Sequence, residues 1–351
     1  MSQKKHATTA PPVISNTPDL PKINWGKIGA QAPTVIGSSK NFLEKADAVV
    51  IVYAEAEWAA LEQVFCKSHR PMPYSARTTS PWEWWHQYKQ DLPTYEGWTY
   101  WFYYRLVEIN GKKVYLIKSN THLDYPGEGY LEKMIQLIID YIQPQVILST
   151  GTAGGAMVDD HIGSVNITNS GALYSNPEPS TGYPVYANAW LANMSTINLP
   201  DFKKLLLAIP TTKSDLNGLV TQFNQQYGTS YTLSDLNPGD VDMGQLTPVI
   251  KDYTPTATPL MTSDSFVIAT SDGNFGSYVC MEMDDAIIGK VCNDNKTAFG
   301  FVRNISDPVQ AAGIAAKDQE NWGGMLYNSY GFYTSFNGAM ATWALLYSML
   351  K

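Results

Sequence analysis

Short apolar, β-branched runs that alternate with helix-period segments constrain this chain more than any other feature. Ala46 to Tyr53 (ADAVVIVY), Gln145 to Thr150 and Ala298 to Ile305 have no polar face, the pattern of strands covered on both sides. Ser164 to Asn169 and Ser265 to Thr270 read as further short strands. Between them, Glu55 to Lys67 places Trp58, Leu61, Val64 and Phe65 at helical spacing, and Glu128 to Ile142 carries a stripe of Leu131, Met134, Ile135, Ile138 and Ile139. Met281 to Cys292 and Gly338 to Leu350 read as two more helices, with others near 201–208 and 214–227. Thr99 to Ile109 and Lys112 to Ser119 flank Asn110-Gly111, a hairpin signal. Strands alternating with helices predict an α/β fold around one mainly parallel or mixed sheet. No repeat or composition break divides the chain, so the reading is a loose tail over residues 1–40 followed by one domain, 41–351. Insertions are expected at about 71–98 and 172–260.

Composition excludes several function classes. A net charge of −8 argues against nucleic-acid polymers and anionic membranes as partners. Only Arg70, Arg77, Arg105 and Arg303 could clamp a phosphate. Cys66, Cys280 and Cys292 form no CxxC pair, and no His/Cys/Asp spacing suggests a metal, so neither metal nor cofactor is expected. The cysteines read as packing thiols in a reducing compartment. No apolar run approaches the roughly 18 residues that span a bilayer, and Met1 to Pro33 lacks the apolar core of a leader, so a cytoplasmic location is expected.

Chemistry in open α/β sheets collects beyond the carboxyl ends of strands. Three such ends carry candidates. Tyr53-Ala54-Glu55-Ala56-Glu57 closes the first strand, although acidic residues also suit a first helical turn without any function. Gly151-Thr152-Ala153-Gly154-Gly155 follows the second, a loop that lets backbone N–H groups approach a ligand, or simply a tight turn. It matches neither GxGxxG nor GxxxxGK[ST]. Ser306-Asp307-Pro308 ends the third and could equally be a helix cap. Met281 to Asp285 (MEMDD) opens an apolar, buried helix, so its carboxylates need partners or a polar cavity. His122 fits a surface loop better than a ligand contact. No GxSxG occurs, which leaves serine-nucleophile hydrolysis unsupported.

In order and spacing, YAEAEWAAL (53–61), STGTAGGA (149–156), TSDSF (262–266), MEMDDA (281–286) and FVRNISD (301–307) resemble the nucleoside phosphorylase superfamily, most of all its methylthioadenosine/S-adenosylhomocysteine nucleosidases. The resemblance spans roughly residues 46 to 310. It implies a three-layer α/β/α fold with a central mixed sheet, a small-molecule nucleoside as ligand and a homo-oligomer. Position by position it implies that Glu57 activates water and Asp307 protonates the leaving base. Thr152 would lie near sugar and water, Phe266 would stack on the base, and the backbone of Val267 would read the base edge. Glu282, Met283 and Asp284 would hold the ribose. Asp284 departs from the family glutamate and is one methylene shorter, so a changed sugar or weaker binding follows. Burial and Glu282 would raise the pKa of Asp307, and Arg303 would lower it.

Three functions compete on these readings. The first is hydrolysis of a purine nucleoside or thionucleoside, and the second a phosphate-dependent phosphorylase of the same superfamily. The third is a nucleoside-binding protein with weak or no turnover. The aromatic stretch from Pro81 to Tyr104 reads as a packed insertion or oligomer contact, or as a lid that reshapes the pocket.

Overall fold

In the strand β2 (Ala48–Val52), successive side chains enter opposite cores, which fixes a sheet covered on both faces. The computed structural model describes residues 19–37, 42–66, 85–93, 97–175, 177–188, 202–237, 248–273 and 275–350. Among them, thirteen strands form one mixed sheet. Besides β2 these are β1 (Thr34–Ile36), β3 (His86–Tyr88), β4 (Phe102–Ile109), β5 (Lys112–Ser119), β6 (Val146–Gly155) and β7 (Val165–Thr168). The rest are β8 (Ser170–Leu173), β9 (Val185–Ala187), β10 (Ile250–Asp252), β11 (Leu260–Thr262), β12 (Cys280–Glu282) and β13 (Ala298–Asp307). The helices are α1 (Glu55–Leu61), α2 (Glu128–Ile142), α3 (Lys213–Tyr227), α4 (Leu233–Leu236), α5 (Asp285–Asn295) and α6 (Ala316–Met349).

Val50 and Val52 pack with α1, α3 and α6, whereas Val49 and Ile51 pack with α2 and α5. That is the three-layer α/β/α arrangement expected from sequence. α2 spans the predicted residues, and β4 and β5 join through Asn110 and Gly111, both at positive φ as the hairpin turn requires.

Other expectations are corrected. Gly151 to Gly155 is no loop, because β6 continues through it, paired with β13 on one edge and β12 on the other. MEMDD does not open a helix: Met281 and Glu282 end β12, and α5 starts at Asp285. Ser265 to Thr270 is irregular apart from an isolated bridge at Thr270. The closing helix begins at Ala316, not Gly338, and residues 202–205 form only a 3-10 turn. The tail is not loose throughout: Leu20, Ile23 and Ile28 are buried, and Trp25 packs edge-on against Trp343 at 4.5 Å. Trp82 and Trp84 lie outside the described residues. Trp85, Trp98 and Trp101 are packed into the two cores.

The register of β6 creates the site. β2 runs beside it as far as Ile51 opposite Ser149, and β12 arrives from the other direction with Met281 opposite Gly154. The carboxyl ends of β2 and β12 therefore approach each other along one edge of β6, separated by residues 150–153.

Candidate active site

Glu57 sits in the first turn of α1, and its side chain folds back into the gap between β2 and β12. Oε2 accepts hydrogen bonds from the backbone N–H groups of Tyr53 and Ala54, both at 2.8 Å. Oε1 accepts from the backbone N–H of Thr152 at 2.7 Å and from its hydroxyl at 2.8 Å. Four donors on one buried carboxylate fix its position. The fit depends on Gly151: a Cβ there would lie 2.5 Å from Glu57 Oε1 and 2.7 Å from Arg303 Nη1.

Arg303 comes from the middle of β13 and is buried. Its Nε donates to Asp285 Oδ2 at 2.7 Å, and Nη2 donates to Asp285 Oδ1 and to Ser149 Oγ, the latter at 2.8 Å. Nη2 also lies 3.4 Å from Glu282 Oε2, and Nη1 donates to the Thr152 carbonyl at 3.4 Å. Glu282 in turn accepts from the backbone N–H groups of Asp284 (2.7 Å) and Asp285 (3.0 Å), and from the Thr262 hydroxyl. It anchors the start of α5, where the helix dipole favours a negative charge. Burial and the Asp285 carboxylate push the Glu282 carboxyl up, against the pull of Arg303.

Asp284, which the resemblance places beside the ribose, binds the loop after β5. Its Oδ1 accepts from the Leu123 backbone N–H at 2.9 Å, and its Oδ2 faces His122 Nδ1 at 3.2 Å. His122 is thereby no free surface histidine. Burial opposes its charging, but Asp284 outweighs that and raises its pKa above the ordinary value. Met283 is half-buried between the two carboxylates.

Asp307 ends β13 beyond a register shift between Ile305 and Asp307. It is 3% exposed. Oδ1 accepts from the Ser306 hydroxyl at 2.8 Å, whereas Oδ2 accepts no hydrogen bond from the described residues. Burial raises its pKa from 3.8 to about 6, with only the Ser306 hydroxyl opposing. Neither Glu282 nor Arg303, the influences expected from sequence, sets it. The helix following Pro308 starts only at Ala316, so Asp307 is no helix cap.

Two glycines make room for this carboxyl. A Cβ on Gly154 would lie 2.9 Å from Oδ2. One on Gly323 of α6 would lie 3.5 Å from Oδ2 and 3.3 Å from the Phe266 ring. Phe266, 44% exposed, and Asp307 thus flank the same turn of α6. Val267 follows it in the loop, half-buried. Gly154 lies two residues, about 7 Å, beyond Thr152 along β6. A fixed carboxylate and a buried acid therefore face one strand, with an aromatic ring at the acid's end. No group of His, Cys, Asp and Glu among the described residues is arranged to hold a metal ion.

Sequence reasoning missed Asp285, Ser149, Thr262 and Tyr53. The signal for Asp285 was present, since a buried Arg303 at mid-strand requires a carboxylate partner and MEMDD supplies three candidates.

No protein-family model matches the chain, and no curated protein matches it. Solved structures are similar to it. The 5'-methylthioadenosine/S-adenosylhomocysteine nucleosidase of Neisseria meningitidis is 14% identical, with 86% of this chain and 99% of that one covered at a TM-score of 0.45. The futalosine hydrolase of Helicobacter pylori strain 26695 is 12% identical, covering 86% and 97%, with a TM-score of 0.46. The S-adenosylhomocysteine nucleosidase of Streptococcus pyogenes is 12% identical, covering 87% and 98%, at 0.45. At these scores the likeness assigns neither activity nor site residues.

Proposed function

We propose that the protein hydrolyses the N-glycosidic bond of a purine nucleoside or thionucleoside. The observation that carries this reading is Asp307: a buried carboxyl with an unengaged oxygen, beside an exposed aromatic ring, whose pKa of about 6 suits proton donation near neutrality. Phe266 stacks on the base, the backbone of Val267 reads its edge, and Asp307 gives its proton to a ring nitrogen as the C1'–N bond breaks. Glu57, held with Thr152, orients a water that adds to C1' and takes up the proton that water loses. The sugar passes through an oxocarbenium-like state, as in glycoside hydrolysis. The acid contributes roughly 10²–10⁴-fold, and a positioned water lowers the entropic cost of attack.

Water is favoured over phosphate by the fate of the arginines. Arg303 is bound to Asp285, and Arg105 donates to Glu62 at 2.9 Å. Arg70 and Arg77 lie outside the described residues. The test is a panel of purine nucleosides and thionucleosides incubated with and without phosphate, with free base followed by chromatography. Base release without phosphate is expected. Release only with phosphate would make the protein a phosphorylase. Tight binding without any release over hours would make it a binding protein.

A further inference from the structure

The expected sugar grip, Glu282 with Asp284, is taken up inside the protein, Glu282 by the start of α5 and Asp284 by the loop after β5. Two other groups occupy that side of the site. Asp284 holds His122 through Nδ1, which leaves Nε2 as the nitrogen not bound to Asp284 in a side chain that is 32% exposed. Under the imidazole lies Tyr53, its ring centroid 5.2 Å from that of His122. Tyr53 is 6% exposed, and its hydroxyl has no hydrogen-bond partner among the described residues. Burial and the Asp284 and Asp285 charges keep that hydroxyl protonated, so it is a donor. A buried hydroxyl without a partner is costly, and a polar ligand atom would relieve the cost. Tyr53 is also tied to the water-orienting carboxylate, because its backbone N–H donates to Glu57. Lys118 and Asp124 complete the charges acting on His122.

We propose that His122 and Tyr53 recognise the sugar hydroxyls of the substrate, and that Asp284 is a positioning residue acting through His122. This assignment rests on the nucleoside reading above. It explains why the shorter Asp284 suits this chain: the carboxylate serves an imidazole instead of the sugar.

The test compares adenosine with 2'-deoxyadenosine and 3'-deoxyadenosine, in binding titrations and, wherever base is released, in kcat and KM. Wild type is expected to favour adenosine over at least one deoxy analogue by on the order of 10²-fold. Tyr53→Phe and His122→Ala should each cut that preference roughly tenfold, through adenosine affinity, while the poorer analogue is unchanged. His122→Gln, which keeps a donor, should restore part of it. Asp284→Asn should reduce the preference in wild type and add less than about twofold in His122→Ala. Equal losses for all three ligands, or multiplying effects of Asp284→Asn and His122→Ala, would overturn the proposal. Discrimination in binding without any base release would sink the hydrolase reading and leave the pair standing. Base release with unaltered preference in the variants would do the reverse. Binding of none of the three ligands would overturn the assignment of the pair and leave the hydrolase reading to the wider nucleoside panel.

Discussion

Asp307→Asn separates stability from activity at one atom. In the folded protein the Asp307 pKa is about 6, raised from 3.8 by burial. The folded state therefore holds a proton that the unfolded state has lost between about pH 4 and 6. Stability falls as pH rises through that window and stays low above it. A displacement of about two units corresponds to about 3 kcal/mol at pH 7, and to almost nothing at pH 4. Asparagine removes the charge, keeps the shape and can still accept from Ser306. Its N–H groups would face Gly154 and Gly323 without a partner, which costs about 1–2 kcal/mol at any pH. The variant should thus be about 1–2 kcal/mol more stable than wild type at pH 7 and about 1–2 kcal/mol less stable at pH 4, while base release falls roughly 10²–10⁴-fold. Urea unfolding at intervals from pH 4 to 8 checks the first part, and chromatography of free base the second. A stability difference that does not change with pH would refute the buried, ionised carboxylate.

The same group sets a pH profile: kcat/KM should fall about tenfold per unit above pH 6 as the acid form is lost, and a flat profile to pH 8 would remove Asp307 as the donor. Arg303→Met leaves Asp285 and Glu282 buried without their cation and should cost about 3–5 kcal/mol in chemical denaturation; less than about 1 kcal/mol would mean the cluster does not depend on it. Gly151→Ala drives a methyl into the fixed Glu57 tip and should cost about 1–3 kcal/mol and most of the activity. Gly324→Ala, in α6 with nothing within 4 Å of the added carbon, should instead stabilise by about 0.5–1 kcal/mol and leave turnover unchanged.

Elements whose cause is local were legible in the chain. α2 has a one-sided stripe, and the Asn110-Gly111 turn needs two positive φ values that those residues supply. α6 was not legible over its first two-thirds. From Ser329 to Leu346 it is buried all round, so no stripe marks it, and Gly323, Gly324 and Gly331 lower its intrinsic propensity. Its glycines answer to tertiary contacts: a Cβ on Gly338 would lie 2.3 Å from Asn304 Oδ1. In the site, the strand-end rule pointed to Glu57 and Asp307, because each position follows from where a strand stops, whereas Thr152 lies within β6 and not beyond its end. The partners of Asp284 were beyond it, since His122 lies 162 residues away and only the packed sheet brings the two together.

The gap on the edge of β6 explains why these side chains are charged at all. Between Ser149 and Gly154 no strand among the described residues covers that edge, and a bare sheet edge inside a protein must have its backbone groups satisfied. Glu57 accepts from the Thr152 N–H, and Arg303 donates to the Thr152 carbonyl, so the two ions stand in for the missing strand. Arg303 is then held by Asp285, which the start of α5 delivers, and α5 in turn is anchored by Glu282. One break in the ladder therefore requires a chain of buried charges, and that chain fixes the carboxylate and the hydroxyl at the place where β2 and β12 end. The candidate catalytic groups are in this sense part of the sheet, and Glu57→Ala should expose the edge as well as remove the proposed base.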